Sequence, residues 1–331
     1  MPRPVPTFHD FIGHVEVVAR LRRQAEGART RQKPFPHTLF TGTSGLGKTL
    51  LAEALATEFE TDFIKIYGEI PEDELVNRLI ALPSHAFLFI DEAHSLKTSE
   101  QELLFKSIDH LRVPNPNGAV TSNASHQKTE ETTEIMPFTL LLATDRPGKL
   151  LNPLHKRMVL QVALSHYSIA ELKEIVDRMA TDMDMLVSPQ AAKLIAQISG
   201  GLPRRAEHVL KNILYHFPNS EGCQLSIPQI REFMEDFGID NKGLGPQELM
   251  YLSYLKDVGS ASLESMALCL GLDCDFVHRQ VEPLLLRERL VKIGPGGRKL
   301  TPIGLDWINQ LNNNRKDPST NGQNQSGQAN P

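Results

Sequence analysis

The stretch that decides the fold is FTGTSGLGKTLL, residues 40–51. A short apolar run, HTLFTG at 37–42, leads into it, and apolar residues at helical spacing follow it. Glycine gives up the most backbone freedom on folding, so a cluster of glycines indicates that bare backbone is needed there. Between a strand and a helix, the N–H groups of such a loop can wrap a phosphate. The stretch therefore predicts a phosphate-binding loop.

The loop fits the pattern G-x-x-x-x-G-K-[ST] and predicts ATP and Mg²⁺ as ligands. Lys48 would reach the β- and γ-phosphates, and the Thr49 hydroxyl would ligate Mg²⁺. The helix that follows adds the positive end of its dipole. The predicted nucleotide-binding residues of this stretch are Gly42, Gly45, Gly47, Lys48, Thr49 and Leu50.

A second motif supplies the acidic residues that such a site needs. AFLFIDEAH, residues 86–94, is an apolar run that ends in Asp91 and Glu92. An uninterrupted apolar strand implies burial on both faces, as in a parallel sheet. Asp91 would hold Mg²⁺ through water, and Glu92 would polarise the attacking water. The letters DEAH also occur in helicases with two motor domains, but further motifs of that class are not found. A single-motor ATPase is the better interpretation.

Strands and helices alternate through the first half of the chain. FIKIYG (63–68), FTLLLATD (138–145) and VLQVAL (159–164) add three strands. The alternation predicts an α/β fold: a mostly parallel sheet with helices on both faces and the ligand at the carboxyl ends of the strands. Thr144 closes one of these strands, where its hydroxyl would orient the lytic water.

The second half has a different pattern. Amphipathic helices without strands follow residue 165, and capping boxes are predicted at Ser168–Glu171 and, earlier, at Ser99–Glu102. Helices and then LVKIGPGGRKLTPIG (290–304), two β runs around a Pro-Gly-Gly turn, are typical of a winged helix. The predicted domains are a large ATPase domain at 1–165, a helical lid at 166–240, a winged helix at 241–312 and a polar, disordered tail at 313–331.

Composition limits the classes of function. The 331 residues carry a net charge of −5, so any DNA contact is expected to be local rather than spread over a broad basic surface. The three cysteines are odd in number and have no metal spacing, which suggests a reducing compartment. No apolar run approaches the ~18 residues that span a membrane. We therefore predict a cytoplasmic protein with no membrane partner.

The chain resembles the RuvB family, ring-forming AAA+ motors that drive branch migration of Holliday junctions. HTLFTGTSGLGKT (37–49) and LFIDEAHSL (88–96) are similar to its nucleotide motifs, although these are general to AAA+ proteins. LLATDRPGKLLNPLHKRM (141–158), YSIAELKEIV (167–176) and GLPRRAEHVLKNI (201–213) are more specific. The likeness runs from about Arg3 to Trp307. It implies an AAA+ ATPase domain, a lid and a C-terminal winged helix, in that order.

The resemblance also implies roles for single residues. Thr144 would be the first sensor, and Arg204 the second, on a lid helix over the γ-phosphate. Arg157 would be the arginine finger that reaches the nucleotide of the neighbouring subunit in a ring, expected to be a hexamer. With the water-polarising glutamate, the predicted catalytic residues are Glu92, Thr144, Arg157 and Arg204.

Further residues are placed at the base and at DNA by the same resemblance. Tyr167 and Arg3 would flank the base and ribose. Arg298 matches a basic wing residue that contacts DNA, and Lys299 stands beside it at the foot of the PGGRK turn. The partner would be duplex DNA or a four-way junction, with the protein at the nucleoid while it is bound.

Three departures from the family concern partner surfaces. The finger region reads His-Lys-Arg-Met-Val at 155–159, where the family has Arg-Asp-Arg-Phe-Gly. The hairpin at 112–136 is long and polar, where the family grips the junction-binding partner RuvA with an apolar tip. The wing has Ile293 and Gly296 where the family tends to have arginines. A RuvA-type partner and strong wing binding to phosphate therefore stay open.

Three functions are compatible with these residues. The first is a RuvB-type motor for Holliday junctions. The second is a diverged AAA+ ATPase that acts on another DNA structure or remodels a protein. The third, a non-catalytic module that reads ATP as a switch, is disfavoured because every predicted catalytic residue is present. The first is the hypothesis carried forward.

Overall fold

The computed structural model describes residues 6–116, 121–122, 128–129, 131–217 and 224–316. They pack as two compact units. The first holds the chain up to Met179 together with Gly201–His208, and the second holds Ala180–Gly200 and the chain from Val209 onward. The predicted lid at 166–240 is therefore shared between the two units, and the domain boundaries at 165 and 240 stay predictions.

Helices account for much of both units. In chain order the first seven are α1 (Val15–Thr30), α2 (Lys48–Phe59), α3 (Glu72–Ile80), α4 (Thr98–His110), α5 (Asn152–Arg157), α6 (Ile169–Asp182) and α7 (Pro189–Ile198). They are followed by α8 (Pro203–His216), α9 (Ile227–Asp236), α10 (Pro246–Val258), α11 (Leu263–Leu270), α12 (Cys274–Phe276), α13 (Glu282–Arg287) and α14 (Pro302–Lys316). A π-helical turn at Val277–Val281 joins α12 to α13.

The strands are short. In the first unit they are β1 (Thr38–Thr41), β2 (Phe63–Tyr67), β3 (Phe87–Asp91), β4 (Arg112–Pro114), β5 (Thr121–Ser122), β6 (Lys128–Thr129), β7 (Thr132–Glu134), β8 (Thr139–Thr144) and β9 (Leu160–Ala163). The second unit adds β10 (Val291–Gly294) and β11 (Gly297–Leu300).

A parallel sheet with the strand order β2-β3-β8-β1-β9 forms the centre of the first unit. Every residue of β8 is buried, because α3 and α4 cover one face of the sheet and α2 covers the other. Thr41 at the end of β1 pairs with Thr144 at the end of β8. The predicted parallel sheet is confirmed, and its register brings the ends of these strands level at one edge.

Two helix starts test the predicted capping boxes. The N–H and the hydroxyl of Ser168 both donate to Glu171 Oε2, at 2.9 and 2.7 Å, so this box is confirmed. The box at Ser99–Glu102 is wrong. The helix begins at Thr98, and Glu100 Oε2 accepts from the N–H of Lys97 at 2.7 Å. The adjacent serine and glutamates allow more than one register for the same motif, and packing selects one of them.

The hairpin between α4 and β8 is described only in part. At its base β4 pairs with β7, with Val113 buried and Arg112 bound to Glu134 at 2.7 Å. Beyond this, β5 pairs with β6. The side chains of the predicted polar tip, residues 117–130, lie outside the described residues.

The predicted winged helix is confirmed in the second unit. Helices α10, α11 and α13 enclose a core that includes Tyr251, Leu252 and Leu285, and β10 pairs antiparallel with β11 to form the wing. The helix α14 follows and continues to Lys316. This helix reaches four residues into the range 313–331 that was predicted as tail, and the start of the tail stays a prediction like the other domain boundaries. Residues 317–331 lie outside the described residues. No helix in the described ranges is long and apolar enough to cross a membrane.

Candidate functional site

The glycines of the phosphate loop lie where a side chain would clash. Gly42 has φ 137°, and a Cβ there would stand 2.6 Å from the carbonyl oxygen of Leu164. At Gly45, φ 86°, a Cβ would stand 2.7 Å from Arg204 Cβ. Both contacts are shorter than packed carbon and oxygen atoms allow. The chain therefore needs glycine at these points to bring β9 and α8 against the loop.

Lys48 lies inside the loop rather than in solvent. Its side chain folds back so that Nζ donates to the carbonyl oxygens of Gly42 and Thr43, at 2.7 and 3.1 Å. Only 7% of the residue is exposed. Burial lowers the pKa of this ammonium group, while the negative charges of Glu92 and Asp91 act in the opposite direction. The loop thus holds the Lys48 ammonium group between its own backbone carbonyls.

The two predicted metal ligands meet. Thr49 is in the first turn of α2, and its hydroxyl donates to Asp91 Oδ2 at 2.9 Å, at the end of β3. Lys65 Nζ, from the neighbouring strand β2, is 3.3 Å from the same carboxylate oxygen. A hydroxyl beside a carboxylate is a set of hard oxygen donors, which suits Mg²⁺. The donor set therefore fits the predicted ion.

A cluster that the sequence did not predict surrounds the catalytic positions. His94 Nδ1 lies 3.3 Å from Glu92 Oε2, 3.2 Å from Thr144 Oγ1 and 3.2 Å from Asp145 Oδ1. The Asp145 oxygen is buried and is not aligned for a hydrogen bond with any described residue. A histidine two residues after Glu92 was the only signal in the sequence. One of its two ring nitrogens, Nδ1, links the predicted water-polarising glutamate to the predicted first sensor.

The predicted second sensor and base-binding tyrosine also contact the loop. Arg204 Nη1 donates to Ser44 Oγ at 2.8 Å. The hydroxyl of Tyr167 donates to the carbonyl oxygen of Leu46 at 3.2 Å, and its ring packs edge-on against His14 with 4.6 Å between centroids. Burial and the charge of Glu171 raise the pKa of Tyr167. These contacts fix residues that are more than a hundred positions away in sequence onto the loop.

Other predicted residues stand apart from these contacts. Leu50 is exposed on α2. Arg157, at the end of α5, is bound to Asp109 of its own chain. Arg3 lies outside the described residues.

The wing arginine has a different environment from the predicted one. Arg298 Nε donates to Glu282 Oε1 at 2.7 Å, and Nη2 is 3.4 Å from Oε2. The Glu282 carboxylate is buried and also accepts from the Tyr251 hydroxyl at 2.9 Å, with His278 Nδ1 3.0 Å away. Burial alone would raise the pKa of Glu282, but the hydrogen bonds from Arg298, His278 and Tyr251 outweigh it and hold this pKa below its usual value.

Arg298 therefore does not stand free at the base of the loop, as the sequence suggested. Its side chain is 14% exposed and faces the domain, because β11 alternates its side chains between the two faces. Lys299, the next residue, is exposed on the opposite face and lies directly across from Lys292 of β10. This places two lysines on the outward face of the wing.

Comparisons with known proteins agree with this architecture. Residues 3–164 match the family model described as the Holliday junction DNA helicase RuvB P-loop domain, and residues 241–309 match the RuvB C-terminal winged helix domain. The Holliday junction branch migration complex subunit RuvB of Thermotoga maritima is 31% identical over 297 residues, 88% of this chain and 87% of that protein. The subunit of the same name from Paracoccus denitrificans is 32% identical over 301 residues, 89% of this chain and 86% of that protein.

A solved structure gives the same result. The Thermotoga maritima RuvB Holliday junction branch migration motor aligns with a TM-score of 0.78 at 30% identity, over 93% of this chain and 98% of that one.

Proposed function

The chain belongs to the RuvB family, and from this premise we propose that it is an ATP-driven DNA motor that promotes branch migration of Holliday junctions in recombination and repair. The contact between the loop and the acid motif carries the proposal. Thr49 lies 2.9 Å from Asp91, with Lys48 buried beside them in the loop. This is the arrangement that an ATP hydrolase of the P-loop type needs.

Mg²⁺ and ATP fit the residues that are present. The loop glycines bring backbone N–H groups to a phosphate, Lys48 supplies a positive charge, and Thr49 with Asp91 supplies oxygen ligands. When bound, ATP would supply the phosphoanhydride bond whose hydrolysis drives movement on DNA, and Mg²⁺ would neutralise negative charge on its phosphates. The adenine would lie against Tyr167, which is fixed to the loop at Leu46. Arg3 and Leu50 stay predictions for the same nucleotide.

The chain's own residues would control the water. Glu92 accepts a proton from the attacking water at its carboxylate. His94 stands between this carboxylate and the hydroxyl of Thr144, so it restrains both groups relative to each other. Arg204, bound to Ser44, ties the start of α8 to the loop. Arg204 would then contact a bound γ-phosphate, and the presence of that phosphate would influence the position of α8.

Assembly completes the site in this proposal. Arg157 belongs to α5 and is bound to Asp109 of its own chain rather than to the phosphate loop of its own subunit. Its guanidinium can therefore act at the surface of the subunit. We propose that it acts on the nucleotide of a neighbouring subunit in a ring, expected to be a hexamer, which works in the cytoplasm and at the nucleoid while on DNA.

DNA would meet the wing at its lysines. Lys292 and Lys299 pair across the two strands and are exposed, and neither has a carboxylate partner among the described residues. Arg298 holds β11 to Glu282 and so presents Lys299 outward. Two cations give weak, salt-sensitive binding to phosphates, so several subunits of a ring would have to bind together.

Binding of a RuvA-type partner has less support from the structure than binding of DNA. The base of the hairpin at 112–136 is held by the pairing of β4 with β7 and by the buried Val113, and an exposed ion pair joins Arg112 to Glu134. Its sequence is polar, which offers little apolar area for another protein to bury. We propose that any such partner binds through polar contacts, and the assay below includes it as a separate arm.

Branch migration of a synthetic four-way junction tests the proposal. A junction with labelled arms is mixed with the protein, ATP and Mg²⁺, with and without the RuvA of the same organism, and strand exchange is followed by fluorescence. We expect migration that requires ATP. Glu92→Gln should bind ATP and the junction but lower hydrolysis by about 10²-fold or more, because its amide cannot accept the proton. Hydrolysis stimulated by another DNA structure, without migration in either arm, would favour the diverged ATPase instead.

A further inference from the structure

Arg157 donates three hydrogen bonds within its own chain. Its Nε donates to Asp109 Oδ1 at 2.8 Å, and Nη2 donates to Asp109 Oδ2. Nη1 donates to the carbonyl oxygen of Pro153 at 2.6 Å, one turn earlier on α5. A guanidinium has five N–H donors in a fixed plane. Three are used in these contacts, which leaves one on each terminal nitrogen without a partner in the part of the chain that the structure describes.

Helix α4, which carries Asp109, also restrains the plane of the Arg157 guanidinium through a second side chain. Phe105 precedes Asp109 by one turn of α4, so both side chains project from one face of that helix. The centre of the Phe105 ring is 4.9 Å from Arg157 Cζ, within the range of a cation–π contact. The carboxylate holds one edge of the guanidinium while the ring covers one face. Rotation about the last bonds of the arginine is therefore restricted.

These contacts are partly exposed to solvent. The side chains of Arg157 and Asp109 are 27% and 38% exposed, so solvent screens the pair and it contributes less to folding than a buried pair would. The hydrogen bond from Arg157 holds the pKa of Asp109 below its usual value, so the carboxylate is ionised at neutral pH. What a two-bond pair provides is direction, because both bonds lie in the plane of the guanidinium.

We propose that Asp109 is a positioning residue for Arg157, and that it orients the guanidinium so that the two unused donors point out of the subunit as a fork for a phosphate. This rests on the proposed role of Arg157 at the nucleotide of a neighbouring subunit. A phosphate takes two parallel N–H bonds from one arginine, which is the number left free. Holding the side chain in place before the subunits meet avoids losing its rotational freedom at that step.

The predicted effect is on turnover rather than on nucleotide binding. In Asp109→Asn the side chain keeps its shape but loses its charge and one acceptor, so Arg157 moves more freely. Fixing a long side chain contributes roughly 0.5–1.5 kcal/mol, or about 2- to 12-fold in rate. We expect the kcat of ATP hydrolysis by assembled rings to fall by that factor. KM for ATP should stay unchanged, because each nucleotide is bound by the loop of its own subunit.

A double-mutant cycle separates this role from a general structural one. Arg157→Ala, Asp109→Asn and the double variant are compared with wild type, after mass photometry has verified that each forms the same rings. We expect the double variant to be no slower than Arg157→Ala alone, since Asp109 acts only through the arginine. Asp109→Glu should recover part of the rate. The matched control is Glu102→Gln on the same helix, which breaks the exposed pair with Lys106 and should leave kcat unchanged.

Mixed rings locate the effect. Subunits that carry Lys48→Ala cannot contribute a nucleotide site, but they still present Arg157 to a neighbour. Adding Asp109→Asn to those subunits should slow hydrolysis at the wild-type sites beside them. In rings made only of Lys48→Ala subunits there is no wild-type nucleotide site, so adding Asp109→Asn should not change the rate of hydrolysis further.

Distinct results would overturn the inference. Asp109→Asn with wild-type or higher kcat would mean that the pair restrains Arg157 rather than presents it. Losses that multiply in the double variant would mean that Asp109 acts elsewhere. If Arg157→Ala itself hydrolyses ATP at the wild-type rate in assembled rings, the proposed role of Arg157 fails, and the positioning role fails with it for that separate reason.

Discussion

The phosphate loop and the wing are both glycine-rich turns that carry a cation. GTSGLGKT at 42–49 ends on Lys48 and Thr49, and GPGGRK at 294–299 ends on Arg298 and Lys299. The loop's own pattern predicted a phosphate contact, and the family resemblance implied a DNA contact for the wing. In the loop the lysine donates to backbone carbonyls and to no other group among the described residues, whereas in the wing the arginine bonds to a buried carboxylate.

The difference lies in what other parts of the chain bring to the turn. At the loop, Asp91 and Glu92 influence Lys48 as charges, without a salt bridge among the described contacts. At the wing, Gly297 packs against the carbonyl of Ala261, 2.5 Å from where its Cβ would be, and the next residue turns toward Glu282. A glycine-rich turn with a cation therefore indicates a phosphate site only if no acid of the same chain takes up the cation.

The largest expected effect is at the loop. Lys48→Ala removes its buried cation, so ATP affinity should fall by about 100-fold or more, since hydrogen bonds to a charged group contribute roughly 1.5–3 kcal/mol each. Binding of a fluorescent ATP analogue measures the change. Lys106→Ala, an exposed lysine of the same unit, is the control. Equal ATP affinity of Lys48→Ala and wild type would mean that the loop at 42–49 is not a phosphate site, and the contrast with the wing would fail.

The next effect is on stability, at the wing. Arg298→Ala leaves the buried Glu282 without its cation, and breaking such a pair costs about 3 kcal/mol or more. Chemical unfolding followed by the fluorescence of Trp307, the single tryptophan, reports on this unit directly. Lys299→Ala is the neighbouring control on the outer face and should change the free energy of unfolding by less than ~0.5 kcal/mol. A stable Arg298→Ala with weaker DNA binding would instead restore the prediction made from the sequence.

The smallest effect is on DNA affinity. Lys292→Ala and Lys299→Ala should each weaken duplex binding a few-fold, and each should reduce the slope of log affinity against log salt by about one. Fluorescence anisotropy at several salt concentrations measures both quantities, with Lys256→Ala on α10 as the control. Unchanged affinity at low salt for the double lysine variant would remove the wing from the DNA path. ATP hydrolysis without DNA should not change in any of these variants.

Some of the site could not be read from the sequence, for a physical reason. The link from His94 to Glu92, Thr144 and Asp145 joins two strand ends that are about fifty residues apart. A histidine after an acidic pair has no spacing pattern of its own, so only the sheet register brings it to Thr144. The contacts of Arg157 with Asp109 and of Arg298 with Glu282 depend in the same way on how helices and strands pack.

The sequence alone determined the features that depend on local chemistry. Continuous apolar runs indicated buried parallel strands, the glycines with Lys48 and Thr49 indicated the phosphate loop, and Ser168 with Glu171 indicated a helix start. Each of these signals lies within a few consecutive residues, where residue type and backbone geometry allow few alternatives. Only the tertiary structure decided which acid each arginine binds. Arg157 and Arg298 have long, flexible side chains whose partners lie 48 and 16 residues away, and only packing determines which carboxylate lies within reach.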